Sequence, residues 1–317
     1  MAIFLTEEDV VRLLPINEAI DCLDEAFRQQ GQGNVKNHPR NRTQSGGMGV
    51  TMMVAVLGGS GFGGFKVMGG GYRSSMVTLY GEDPPRMLAM LESRELGQIR
   101  TGAASGLATK YMAREDATTV GIVGTGHQAI SQLAAVCSVR SITKVKAFSR
   151  NPERRAAFCS AMTSLLDVEV IPVESAKEAV VGTDIVIAIT NVQTLEPVIL
   201  GEWLEPGMHV NAAGANSLNR RELDDAAVMK SSIVVADAID QAQLECADLV
   251  IPINAGLLGW DQIIELGQVV TGEKSGRMST DDITVFESQG IGMEDVAVAA
   301  HIFAKARNEG TGLELPF

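Results

Sequence analysis

The sequence predicts an α/β protein: a Rossmann-type parallel-sheet domain over residues 116–288, plus an α+β domain of residues 1–115 completed by 289–317. Three observations predict it. Beyond residue 115, short apolar runs alternate with helical segments, the rhythm of parallel strands joined by crossover helices. A glycine loop, Gly124-x-Gly126-x-x-Ala129, joins the first of those strands to the first of those helices. Before residue 115 the pattern is different: two helices, then β-like runs interrupted by glycine. At 317 residues the chain is long enough for two separate cores.

Taken in order, Thr6 and Asp9 are spaced as a helix N-terminus, with acids suited to the free amides and the helix dipole. A second helix starts at Pro15. Its Ile16, Ala19, Ile20, Leu23, Ala26 and Phe27 share one face, and Gly31 and Gly33 end it. Residues 50–57, 65–68 and 76–80 read as strands, 81–85 as a turn, and 87–91 as the returning strand of a hairpin. Residues 101–112 form a helix of small side chains. The alternating part follows, with strands at 118–123, 144–148, 169–173 and 184–190 and helices at 129–137 and 153–166. Further strands fall at 209–213, 233–236 and 283–286, and an Ala-rich helix at 295–307 folds back on the N-terminal region.

Composition narrows the function. A net charge of −13 and an aromatic content of 4% argue against nucleic acid, which selects basic surfaces and aromatic stacking faces. The four cysteines (Cys22, Cys137, Cys159, Cys246) form no C-x-x-C pair and read as reduced, mostly buried thiols. His38, His209 and His301 lack metal-ligand spacing, so no metal is expected. The N-terminal stretch has no basic flank and no apolar run reaches membrane length, which gives the expectation of a cytoplasmic protein without a membrane partner.

The glycine loop carries the chemistry of a dinucleotide. Gly124 permits the tight turn, Gly126 lets the backbone approach a pyrophosphate, and Ala129 keeps the helix against the sheet. With Thr125, His127 and Gln128 these residues are the expected phosphate contacts, His127 either nearing the pyrophosphate or filling the loop. NAD enzymes usually place an acid about 20 residues past the loop, at the end of the second strand. Here Ser149-Arg150-Asn151 stands in that place. An arginine can pair with a 2′-phosphate, which favours NADP(H), or can stack on adenine and leave NAD(H) usable. Thr190 and Asn191, ending a later strand, are expected along the cofactor.

Several segments resemble the ornithine cyclodeaminase/μ-crystallin family in order and spacing over nearly the whole chain. They are Arg42-Thr43, Gly64-Phe65-Lys66, Gln98 to Ala104, the loop itself, Gly214 to Leu223, and Ile283 to Gly290. The resemblance implies a homodimer acting on a small imino or amino acid, with the active site in a cleft between a substrate domain and the Rossmann domain. It assigns the substrate carboxylate to Arg42 and Arg100, whose guanidinium forks suit that group. Lys66 is assigned to the carboxylate or imine region, where burial would lower its pKa and let it pass protons. It further places Thr101 and Ser288 near the cofactor. Arg73, after a glycine run, is a candidate for cofactor phosphate or a second substrate carboxylate.

Two departures from the family separate possible reactions. Cyclodeaminases of the family carry a catalytic Asp where this chain has Asn216, and an amide cannot serve as acid or base. The acid in their preceding strand corresponds to Met52. Ring closure with ammonia loss needs that proton chemistry, whereas imine reduction needs a clamped carboxylate, a proton source and a positioned nicotinamide. The expectation is therefore an NAD(P)H-dependent imine reductase or amino-acid dehydrogenase, with Lys66 and Asn216 at the reacting centre. The alternatives are a lyase that recycles its NAD and a crystallin-like ligand-binding protein.

Overall fold

Thr6 caps the first helix as its sequence predicts: its hydroxyl accepts from Asp9 N, and the Asp9 carboxylate accepts from Thr6 N at 3.1 Å. Strand β1 (Ile3–Leu5) precedes that helix, α1 (Glu7–Leu13), and α2 (Ile16–Gly31) follows. Helix α2 buries Ala19, Ile20, Leu23, Ala26 and Phe27, the stripe read from the 3.6-residue period. Burial of Phe27 alone contributes roughly 1.5–3 kcal/mol. Four long strands come next: β2 (Val35–Ser45), β3 (Met48–Leu57), β4 (Phe62–Gly69) and β5 (Ser74–Glu82). Strand β6 (Pro85–Glu92) and helix α3 (Arg94–Met112) complete this stretch. In this computed structural model residues 1–69 and 74–316 are described.

Strand β2 and helix α3 depart from the sequence expectation. Strand β2 carries no strand pattern in its sequence, because its residues are polar and include Pro39; it forms the outer edge of its sheet, where proline and polar side chains are tolerated. Helix α3 begins at Arg94 rather than at residue 101.

The central part alternates as expected. It comprises β7 (Thr119–Val123), α4 (His127–Val139), β8 (Lys144–Phe148), α5 (Pro152–Leu166), β9 (Glu169–Pro172), α6 (Ala176–Val180), β10 (Ile185–Ala188) and β11 (His209–Ala212). Then come α7 (Asp225–Lys230), β12 (Ile233–Ala236), α8 (Ile239–Glu245), α9 (Ala247–Asn254), β13 (Ile263–Glu265), α10 (Leu266–Val270) and β14 (Thr284–Glu287). The eight strands pair in parallel in the order β13-β12-β14-β11-β10-β7-β8-β9. Five of them, β9-β8-β7-β10-β11, reproduce the Rossmann order, with the switch point between β7 and β10. Both faces are buried: Ile185 and Ile187 pack on one side and Val186 and Ala188 on the other. At Gly121 a Cβ would run into the Ala179 carbonyl of α6, so helix and strand pack at backbone distance.

The chain returns through α11 (Gly292–Glu309) and β15 (Leu313–Glu314). The first sheet reads β15-β1-β6-β5-β4-β3-β2; β1 joins β6 in parallel, and the other pairs are antiparallel. Helix α11 packs on β3 and β4 and against α2. The chain divides into two compact units, one of residues to Ala103 with those from Gly290, the other Ala104–Gln289. The division falls inside α3 rather than at its end. Among the described residues no helix is long and apolar enough to cross a membrane.

Candidate active site

In the first unit, one buried cluster gathers residues from four elements. Lys66 of β4 is only 3% exposed, and its Nζ donates to Asp295 Oδ1 of α11 at 3.0 Å. The same oxygen accepts from Arg100 Nε of α3 at 3.2 Å, while Arg100 Nη1 donates to Glu294 Oε2 at 2.6 Å. Arg40 of β2 donates to the Gly290 carbonyl at 2.8 Å, and its charge acts on Lys66, Glu294 and Asp295. Two glycines make the space. A Cβ at Gly97 would stand 2.6 Å from Lys66 Nζ, and one at Gly290, where φ is +76°, would stand 2.5 Å from Arg100 Nη1.

Electrostatics set the protonation of this cluster. Burial, with Arg100 and Arg40 nearby, holds the Lys66 ammonium below its usual value, against the pull of Asp295. Burial pushes Asp295 up, but Arg100, Lys66 and Arg40 outweigh it and hold the carboxyl below its ordinary range. Burial pushes Glu294 up to about 6, with Arg100 opposing and Asp295 reinforcing the rise.

Of the sequence-predicted substrate residues, Lys66 and Arg100 therefore meet here. Arg42 lies two positions beyond Arg40, opposite Thr51 of β3, and is exposed. Arg73 lies outside the described residues. Met53, not Met52, is the β3 partner of Lys66 and is buried, whereas Met52 points to the opposite face and is 42% exposed. Thr101 follows on α3, its hydroxyl donating to the Gly97 carbonyl at 2.7 Å. Sequence reasoning missed Arg40, Glu294 and Asp295. The acidic pair reads simply as first-turn acids at the start of an Ala-rich helix.

The second unit holds the glycine loop. Gly124 has φ +110°, and a Cβ there would collide with the Ile189 carbonyl, so the turn admits only glycine. Space at Gly126 is open, and no side chain caps α4. His127, Gln128 and buried Ala129 form the first turn of α4, whose amides lie at its positive dipole end. This cradle fits a dinucleotide pyrophosphate.

At the end of β8, Thr125 Oγ1 donates to Ser149 Oγ at 2.7 Å, tying the loop to the next strand. Asn151 is engaged as the α5 cap, accepting from Arg154 N at 2.7 Å. Arg150 is exposed. Arg155, which the sequence reading passed over, braces this corner by donating to Ser149 O and Glu174 and stacking over Phe148.

Glu222 orders the loops after β10 and β11. Its carboxylate accepts from Thr190 N, Thr190 Oγ1 and Gly214 N at 2.7, 2.6 and 2.6 Å, and from the Ala215 amide. Gly214 is the one residue that fits, since a Cβ would stand 2.5 Å from Glu222 Oε1 and Thr190 N. Asn216 follows and is half-buried; Asn191 is exposed beside Thr190. Ser288, 3% exposed after β14, has no hydrogen-bond partner for its hydroxyl among the described residues, and that leaves a donor for a bound ligand.

Comparison with known proteins adds the lineage. A Delta(1)-pyrroline-2-carboxylate reductase of Bacillus cereus is 38% identical over 231 residues, 73% of this chain and 70% of that protein. The structure of Thermococcus litoralis Delta(1)-pyrroline-2-carboxylate reductase, in complex with NADH and L-proline, matches with a TM-score of 0.93 and 33% identity. That match covers 99% of this chain and 100% of the other. An archaeal alanine dehydrogenase dimer with bound NAD matches with a TM-score of 0.91 and 29% identity, covering 100% of this chain and 99% of the other. Residues 1–310 match one family along that whole length, and the chain belongs to the ornithine cyclodeaminase/mu-crystallin family.

Proposed function

We propose that the chain is an NAD(P)H-dependent reductase converting a small 2-imino acid to the L-amino acid, and able to run the reverse oxidation. The observation that carries this reading is the buried cluster of Lys66, Arg100 and Arg40 against Asp295 and Glu294. A substrate carboxylate entering this cluster meets two guanidiniums and an ammonium. The guanidiniums supply paired donors to that carboxylate. Lys66, held by Asp295, hydrogen-bonds the imine nitrogen and delivers the proton. A bound nicotinamide supplies the hydride. Position 216 carries an amide, which orients a substrate by hydrogen bonding without exchanging protons, and this favours reduction over cyclodeamination. The names of the relatives, pyrroline-2-carboxylate reductase and alanine dehydrogenase, support the same class.

The first unit, on this reading, binds substrate and pairs two copies, and the second binds the dinucleotide. Gly124, Thr125, Gly126 and the first turn of α4 hold the pyrophosphate, with Ser288, Thr190 and Asn191 nearer the nicotinamide. Arg150, exposed where NAD enzymes keep an acid, favours NADPH. Two structural neighbours hold NADH and NAD, so the arginine's contribution is what a paired assay measures. The pairing of copies rests on the sheet face opposite α11, where Val50, Met52 and Val56 of β3 are exposed beside Tyr80 of β5.

The test is cofactor oxidation with NADH or NADPH and a panel of substrates: pyrroline-2-carboxylate, piperideine-2-carboxylate, and pyruvate, glyoxylate or oxaloacetate each with ammonia. Oxidation with a member of the panel supports the reductase and names its substrate class. Ammonia release from ornithine with the cofactor unchanged would make the chain a lyase.

A further inference from the structure

Two cations that must both meet one substrate repel each other when buried together. Lys66 and Arg100 are 3% and 6% exposed, so water screens that repulsion little. One atom, Asp295 Oδ1, accepts from both. Asp295 is itself fully buried on the first turn of α11. Glu294, its neighbour, goes to the other end of the guanidinium instead. The bonds differ between the two acids: Glu294 accepts from Arg100 Nη1, and Asp295 bridges Arg100 to Lys66.

We propose that Asp295 is the positioning residue for Lys66: its bridging oxygen fixes the ammonium beside the carboxylate-binding guanidinium and keeps it protonated for delivery to the imine. This rests on Lys66 being the proton donor of the reaction proposed above. In that step the Lys66 N–H bond breaks as the substrate N–H bond forms. The carbon–nitrogen π bond gives way to a new C–H bond as hydride arrives from the cofactor, which is oxidised. Lys66 is left neutral and regains its proton from solvent, and Asp295 stays a carboxylate throughout. Among the described residues, the charged groups that act most strongly on Lys66 are Asp295 from α11, Arg100 from α3 and Arg40 from β2; its strand partners, Met53 and Val77, carry no charge. Asp295 is therefore the one group among them that favours the ammonium, and burial and both guanidiniums oppose it.

The experiment follows the Lys66 Cε resonance against pH in protein with carbon-13-labelled lysine, assigned by its loss in Lys66→Arg. In Asp295→Asn the midpoint should fall by about 1–3 pH units, and the alkaline limb of the kcat profile should fall with it. Asp295→Glu, which keeps the charge, should restore most of both. Should the asparagine variant not fold, Arg100→Gln gives the opposite perturbation, and the midpoint should rise. An unmoved midpoint overturns the proposal, as does a midpoint that moves while the kcat limb stays. The resonance is read without substrate, so a wild-type protein that reduces no imine would refute the proposed reaction separately.

Discussion

Gly97 on α3 lies so close to Lys66 on β4 that a single added carbon would stand 2.6 Å from the ammonium nitrogen. The lysine end is tethered to Asp295, so it can give way only by leaving that oxygen. Gly97→Ala should thus lower kcat by about 10²-fold, the scale of a misplacement near 1 Å. Stability should fall as well, because parting a buried ion pair costs more than the about 1 kcal/mol by which alanine is favoured over glycine inside a helix. Steady-state kinetics beside thermal melts would separate the two effects.

Glu222 accepts from four donors across two loops, and burial pushes its carboxyl upward against them. All four partners are donors, which an acceptor-only carboxylate satisfies and an amide does not. Glu222→Gln should turn an NH₂ group toward Thr190 or Gly214 and cost about 1–3 kcal/mol. Urea unfolding should record that loss, and dinucleotide affinity should weaken as the Thr190 and Gly214 loops separate.

His209 is fully buried, bonded to Thr284 and Asn211, and its pKa is pushed down to about 3 by burial and then by Arg277. Unfolded, it would titrate near ~6.5. Between those values the unfolded chain binds more protons, so stability is complete above the unfolded value and is lost as pH falls toward the folded one. The slope approaches about 1.4 kcal/mol per pH unit. Urea midpoints taken across that window should fall less steeply in His209→Gln than in wild type.

The apolar outer face of β3 makes the pairing of copies testable. Met52 is 42% exposed and sits opposite Val67 of β4, with Asn41 of β2 on its other side. Met52→Asp should leave the single chain folded and split a dimer into monomers by light scattering, since an unpaired carboxylate in an apolar contact is costly. An unchanged mass would move the interface elsewhere.

Legibility in the sequence follows how tightly the chemistry constrains the residues. The loop at Gly124 is legible because a turn that collides with the Ile189 carbonyl leaves glycine no substitute. The parallel strands are legible because both faces are buried and each becomes an apolar run. Strand β2 is not, because an edge strand needs no apolar alternation and its one strand partner among the described residues is β3. Arg40 is hidden for a related reason: β2 shifts register between His38 and Asn41, and strand counting cannot place a side chain across such an irregularity. Asp295 is hidden because its partners, Lys66 and Arg100, lie 229 and 195 residues away.

The measurement that bears most directly on the proposed reaction is the fate of the hydride. NAD(P)H carrying deuterium at its transferable position would be incubated with the protein and a 2-imino acid, and the amino-acid product weighed by mass spectrometry. The account predicts one deuterium at the product's α-carbon and one oxidised cofactor per product molecule. Unlabelled product with cofactor unconsumed would contradict it, and ammonia released from ornithine under the same conditions would place the chain among lyases.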